Sequence, residues 1–127
     1  MNAWEAVSQF GRVLGVSDLS LDGAREAHLG LDSGDTISFT LTDEVLLLHL
    51  RRPFPHPSSD VLLRALQRCQ ARNSGALRLQ MGGRGQGADF ALIAATRFRA
   101  DSVTPEELGR ACDGLLESMR TVTGASR

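Results

Sequence analysis

Apolar residues near the start of the chain recur at helical spacing. Ala3, Val7, Phe10 and Leu14 stand four, three and four apart, with Trp4 and Gly11 beside them. That is one face at a period near 3.6, and it predicts a helix over residues 3–15 ended by Gly15. Residues 16–25 hold Ser17, Asp18, Asp22 and Gly23 and read as a loop. The period then changes to two. A short strand is predicted at 28–31, a strictly alternating one at Thr36–Leu41, and a third over 44–51. Ser33-Gly34-Asp35 and Thr42-Asp43 are short connections, so the three strands are expected to form antiparallel hairpins. Val45 to Leu50 is apolar on both faces, which places this strand inside the sheet or covered on both sides.

Pro53, Pro55 and Pro57 are expected to exclude a central strand or a helix interior. Ser58, Ser59 or Asp60 then caps a helix over 60–72. Its apolar stripe is Leu62, Ala65, Leu66 and Cys69 with Val61 alongside, and its opposite face is Arg64, Gln67, Arg68 and Arg72. Asn73-Ser74-Gly75 stops it. Residues 76–81 alternate, with Leu77, Leu79 and Met81 on one face. Residues 82–87, GGRGQG, read as a mobile hairpin turn into a strand over 89–98. Thr104-Pro105-Glu106-Glu107 marks a helix start with cap, first-turn proline and capping-box acid. Leu108, Ala111, Cys112, Leu115, Met119 and Val122 continue that helix. The order α-β-β-β-α-β-β-α predicts an α+β fold, a twisted and mostly antiparallel sheet with three helices. Residues 1–123 form one domain, and 124–127 a frayed tail.

Composition narrows what such a domain can do. The chain has 127 residues, 42% hydrophobic and 23% charged, enough for one real core. Its longest apolar run, Val45–Leu48, is far short of the roughly 20 residues of a membrane helix. The opening MNAWEAVSQF lacks the basic and apolar regions of a secretory signal, so a cytoplasmic location is expected. Cys69 and Cys112 are too few for a disulfide or zinc scaffold and are expected to be small buried hydrophobes in a reducing compartment. Net charge is −1, and every basic residue is Arg. No cluster exceeds Arg51-Arg52, so no nucleic-acid footprint is visible.

Enzyme chemistry finds little support. His28, His49 and His56 share no metal-ligand spacing, and no nucleophile elbow or Cys/His pair stands out. No metal, cofactor or catalytic set is expected. GGRGQG lacks the ending of a phosphate loop and the spacing of a dinucleotide loop. A nucleotide-binding or enzymatic domain using residues 82–87 and Arg84 remains the distant alternative. What is left is apolar surface: it either closes inside one monomer, pairs with a second subunit, or takes up an extended peptide.

The segments Leu14-Gly15-Val16, Leu29–Leu31, DSGDTISFTL (32–41) and the leucine-rich third strand carry a resemblance over residues 3–122. The chain resembles the class I type III secretion chaperones. Trp4, FGRVLGV (10–16) and ARNSGALRLQMG (71–82) make it most similar to the SycN branch. The resemblance implies no catalysis and no cofactor. It implies a dimer, here with a second small chaperone of the YscB type, and an N-terminal, non-globular stretch of a secreted gatekeeper of the YopN type as cargo. A homodimer serving an injected effector is the nearer alternative. Carried onto this chain, the dimer face is Val61, Leu62, Ala65, Leu66, Cys69, Leu77, Leu79 and Met81. The cargo face is Trp4, Val7, Phe10, Leu29, Leu31, Ile37 and Phe39.

Overall fold

A computed structural model describes residues 2–15, 25–72 and 79–124, with the backbone alone for 69–72. The elements run α1 (Ala3–Val13), β1 (Glu26–Gly30), β2 (Thr36–Leu41), β3 (Val45–Pro53), α2 (Ser59–Arg72), β4 (Gln80–Arg84), β5 (Ala91–Arg99) and α3 (Pro105–Thr123). The five strands form one sheet in the order β1-β2-β3-β5-β4, and every neighbour is antiparallel. The α+β order expected from hydrophobic periodicity is therefore the order observed.

The strand that is apolar on both faces is the central one. Leu46, Leu48 and Leu50 of β3 are fully buried on the face that the helices cover. Ile37 and Phe39 of β2, and Leu92 and Ala94 of β5, continue that layer. α1 lies on it through Phe10, whose ring meets Phe39 edge-on at 6.0 Å between centroids. α3 adds Leu108, Ala111, Cys112, Leu115, Met119 and Val122, the stripe read from its spacing. Its start is the expected capping box: Thr104 Oγ1 accepts from Glu107 N at 3.2 Å, and Glu107 Oε1 accepts from Thr104 N at 3.1 Å.

Two expectations about the middle of the chain are corrected. β3 does not stop before the prolines but runs through Pro53, in register with Ala91. Proline is tolerated because β2 pairs with β3 only as far as Arg51, so Pro53 needs no N–H on that side. The glycine segment is not a free turn over 82–87. Gly82, Gly83 and Arg84 belong to β4, and the connection is Gly85–Phe90 with one 3₁₀ turn at Gly87–Asp89. Phe54 N donates to Phe90 O and His56 N to Gly87 O, both at 2.9 Å, which ties this connection to the chain after β3. A Cβ at position 83 would meet the Phe90 ring, which would have to shift. Glycine is required at 85 because φ is +83° and a Cβ would stand 2.6 Å from Asp89 O. The first half of the strand expected over 76–81, and the loop over 16–24, lie outside the described residues.

Among the described residues, Asp35 and Arg52 form a buried ion pair. Asp35, 1% exposed in the β1–β2 turn, accepts from Arg52 Nε at 2.8 Å and from Nη2 at 2.7 Å. Arg52 Nη1 donates to Thr123 Oγ1 at 3.1 Å, at the end of α3. The fork-on-carboxylate geometry satisfies both charges, and removing one partner strands the other. Asp35→Asn is expected to lower unfolding free energy by about 3 kcal/mol, read from urea denaturation. The double variant Asp35→Asn/Arg52→Met should lose less than the sum of the two single losses.

Candidate partner-binding surface

The helix α2 carries three of the exposed large apolar side chains, Leu62, Leu63 and Leu66. It packs chiefly against α3 and β4. Val61 and Ala65 are buried against the core, while Leu62, Leu63 and Leu66 are 42%, 54% and 64% exposed. The stripe expected to act as one face is therefore split, and Leu62 and Leu66 turn outward together with Leu63. The arginines expected on the solvent face are what hold the helix down. Arg64 Nε donates to Val122 O at 3.0 Å, a carbonyl in the last turn of α3 that has no partner within its own helix. Arg68 Nε donates to Ser118 Oγ at 3.2 Å, and its Nη2 reaches Glu117 Oε1 at 2.9 Å. Arginine serves because its long apolar stem crosses the helix–helix gap before the charged fork is needed. No pattern of apolar positions announces this, since guanidinium-to-backbone contacts leave no periodicity.

Beside α2 lies the edge strand β4, which pairs with β5 and has no second neighbour among the described residues. Leu79 is buried, and Met81 half-buried on the same face. On the other face Gln80, Gly82, Ile93 and Ala95 border a shallow depression of about 560 Å³ that wraps the strand edge. Of the dimer residues expected from sequence, Val61, Ala65 and Leu79 sit in the core. Leu62, Leu66 and Met81 are open to varying degrees. Leu77 and the Cys69 side chain lie outside the described residues.

The residues expected to meet cargo divide as sharply. Val7, Phe10, Ile37 and Phe39 are buried between α1 and the sheet. A charge at Ile37 or Phe39 would report on folding and not on a partner. Leu29 and Leu31 are half-buried at the β1 end of the core, and Trp4 is 42% exposed on α1. Trp4 borders a shallow groove with Glu5, Ser8, Gln9 and Arg12.

The remaining reactive groups do not converge. His28 and His49 share the outer face of the sheet, and His28 Nδ1 stands 2.7 Å from Ser38 Oγ. Burial holds the His49 imidazole below its ordinary value of 6.5, helped by the charges of His28 and Arg84 and opposed by Glu26. The Cys112 thiol is pushed up to about 12, chiefly by burial, so it is not a nucleophile at neutral pH. Among the described residues no three His, Cys, Asp or Glu side chains are grouped to hold a metal, and no helix is long and apolar enough to cross a membrane. In the Gly85–Phe90 connection, Asp89 N and Phe90 N are bonded to Gln86 O and Gly87 O, so they do not line a phosphate cradle.

Comparison with known proteins places the fold. No family model matches the chain, and no curated protein sequence matches it. Solved structures do. A chain of the HopA1–SchA chaperone–effector complex is 23% identical, with a TM-score of 0.66, over 91% of this chain and 88% of that one. The Yersinia pestis type III secretion chaperone SycH in complex with a fragment of YscM2 is 9% identical, with a TM-score of 0.65, over 94% and 98%. The ExsC–ExsE complex matches at 20% identity and a TM-score of 0.67, over 89% and 84%. YbjN, a putative transcription regulator from E. coli, shares the fold less closely, with a TM-score of 0.55 and 20% identity. The fold is that of type III secretion chaperones.

Two measurements check this geometry. Arg68→Met is expected to lower unfolding free energy by about 1.5 kcal/mol, since it removes hydrogen bonds from a charged donor, whereas Gln67→Ala on the exposed side leaves the urea midpoint in place. The depressed His49 binds protons less readily folded than unfolded. Its contribution to stability is complete above about pH 6.5 and is lost as the pH falls below that value. The drop in urea midpoint from pH 8 to pH 5.5 should therefore be smaller in His49→Gln.

Proposed function

We propose that this chain is a type III secretion chaperone that pairs through the outer side of α2 and holds an extended segment of a secreted protein. The observation that carries the reading is the outward turn of Leu62, Leu63 and Leu66 on a helix clamped to α3 by Arg64 and Arg68. Three leucines on one exposed helix are an interface rather than a solvated face. The open edge of β4 continues that surface. The fold supports the same reading, because it is shared with chaperones solved in complexes.

The finer reading rests on the resemblance of the Trp4, 10–16 and 71–82 segments to the SycN branch. In it the partner is a second small chaperone of the YscB type, the cargo is a gatekeeper of the YopN type, and the complex works in the bacterial cytoplasm without catalysis or cofactor. Cargo contact then falls to exposed or half-buried positions, Trp4, Leu29 and Leu31, while Val7, Phe10, Ile37 and Phe39 shape the surface from below. Holding a chain extended needs several modest apolar contacts, each worth roughly 1.5–3 kcal/mol when fully buried, to offset the ordering of a disordered segment.

Size-exclusion chromatography with light scattering tests this. Co-expressed with a YscB-type chaperone, the chain should elute as a one-to-one complex. Leu62→Arg/Leu66→Arg should weaken that pairing by at least about a hundredfold while leaving the far-ultraviolet circular dichroism unchanged. A stable dimer of the chain alone that ignores the second protein would favour the homodimeric effector chaperone. A monomer under both conditions would remove the proposal.

A further inference from the structure

The helices cover one face of the sheet; the outer face is built differently. Along β3 and β5 it carries Val45, Leu47, Ile93 and Ala95, all half-buried, with the half-buried His49 between Leu47 and Arg51. Around them stand Arg51 on β3, Arg84 on β4 and Arg97 on β5, all exposed. We propose that this outer face docks an acidic polypeptide segment whose carboxylates alternate with apolar side chains along one side. The surface lies apart from the outer side of α2, because α2 touches α3 and β4 from the helix-covered side. The inference goes beyond the chaperone reading, and its failure would leave pairing through α2 untouched.

Charge is the first ground. The described strands contain one carboxylate, Glu26, and it sits at the β1 edge beside His28. Register places Glu26 opposite Thr40, Thr40 opposite Leu47 and Leu47 opposite Arg97, so the acid is three strands away from Arg97. Among the described residues no carboxylate forms an ion pair with Arg51, Arg84 or Arg97, whereas Arg25, Arg52, Arg68 and Arg99 each have one. Arginine is the residue type suited to binding carboxylates by a two-pronged contact. The face thus offers positive charge around a largely apolar strip, with nothing of its own strands to neutralise it.

Spacing is the second. Leu47 faces Arg97 across the β3–β5 ladder, and Arg51 lies four residues further along β3. At about 3.3 Å per residue, the two arginines are about 13 Å apart along the strand. An extended partner meets both with carboxylates four residues apart, and the residue midway between them on the same side falls over His49 and Ala95. A nucleic acid fits this pattern less well. Its phosphates follow one another more closely, and its bases seek aromatic platforms. The outward-facing strand positions hold no Phe or Trp, since Phe39 and Phe98 both point toward the helices.

Fluorescence anisotropy of the full chain, alone or in its dimer, tests the proposal. The probes are a labelled 20-residue peptide repeating Asp-Ser-Leu-Ser, the same peptide with Lys for Asp, and the oligonucleotide dT20. The acidic peptide is expected to bind and the lysine peptide not. Arg51→Gln/Arg97→Gln should weaken the acidic peptide about tenfold, as loss of two complementary charges predicts. Arg110→Gln/Arg120→Gln on exposed positions of α3 should change it less than about twofold, and matching thermal melts keep the comparison between folded proteins. Equal losses in both variants would reduce the effect to bulk charge and overturn the proposal. So would tighter binding of dT20 with the same arginine dependence, or failure of the acidic peptide to bind.

Discussion

A single strand with a neighbour on each side constrains this molecule. β3 pairs with β2 along one edge and β5 along the other, and Leu46, Leu48 and Leu50 have no solvent exposure. Burying that row requires helices on one face, and α1 and α3 supply them. α2 lies toward β4, holds on by Val61, Ala65 and two arginines, and carries its remaining leucines into solvent.

Much of this was legible in the sequence, because the elements follow local rules. The alternation at Thr36–Leu41 gives β2 to the residue, and Thr104-Pro105-Glu106-Glu107 gives the start of α3. The central place of β3 follows from leucines on both of its faces. What was hidden depends on pairs far apart in the chain. The orientation of α2 is set by Arg64 and Arg68 reaching residues some fifty positions away, and a helical wheel assigns those arginines to water. The Asp35–Arg52 pair joins residues whose neighbours are unremarkable. Gly82 and Gly83 read as a turn by composition, yet an edge strand accepts them, and the Phe90 ring lies where a Cβ at position 83 would stand. Burial of Val7, Phe10, Ile37 and Phe39 was equally out of reach, since an apolar stripe looks the same whether it faces a core or a partner.

The same architecture serves chaperones in effector complexes and a putative transcription regulator, so topology alone does not fix a role. The distinction lies in the surfaces. One is aliphatic, on a helix at the side of the molecule. The other is an arginine-bordered sheet face. The two differ in chemistry and share no side chain.

The link from Arg52 to Thr123 bears on how the molecule comes apart. The last turn of a helix ordinarily frays, opening at little cost. Here that turn is anchored twice, by Arg52 at Thr123 Oγ1 and by Arg64 at Val122 O. To open it, the chain must give up the bond from Arg52 Nη1, while Nε and Nη2 stay on Asp35, and loosen α2 from α3 together. The end of α3 therefore belongs to the same cooperative unit as the central sheet, and the fold has one fewer place at which to begin unravelling.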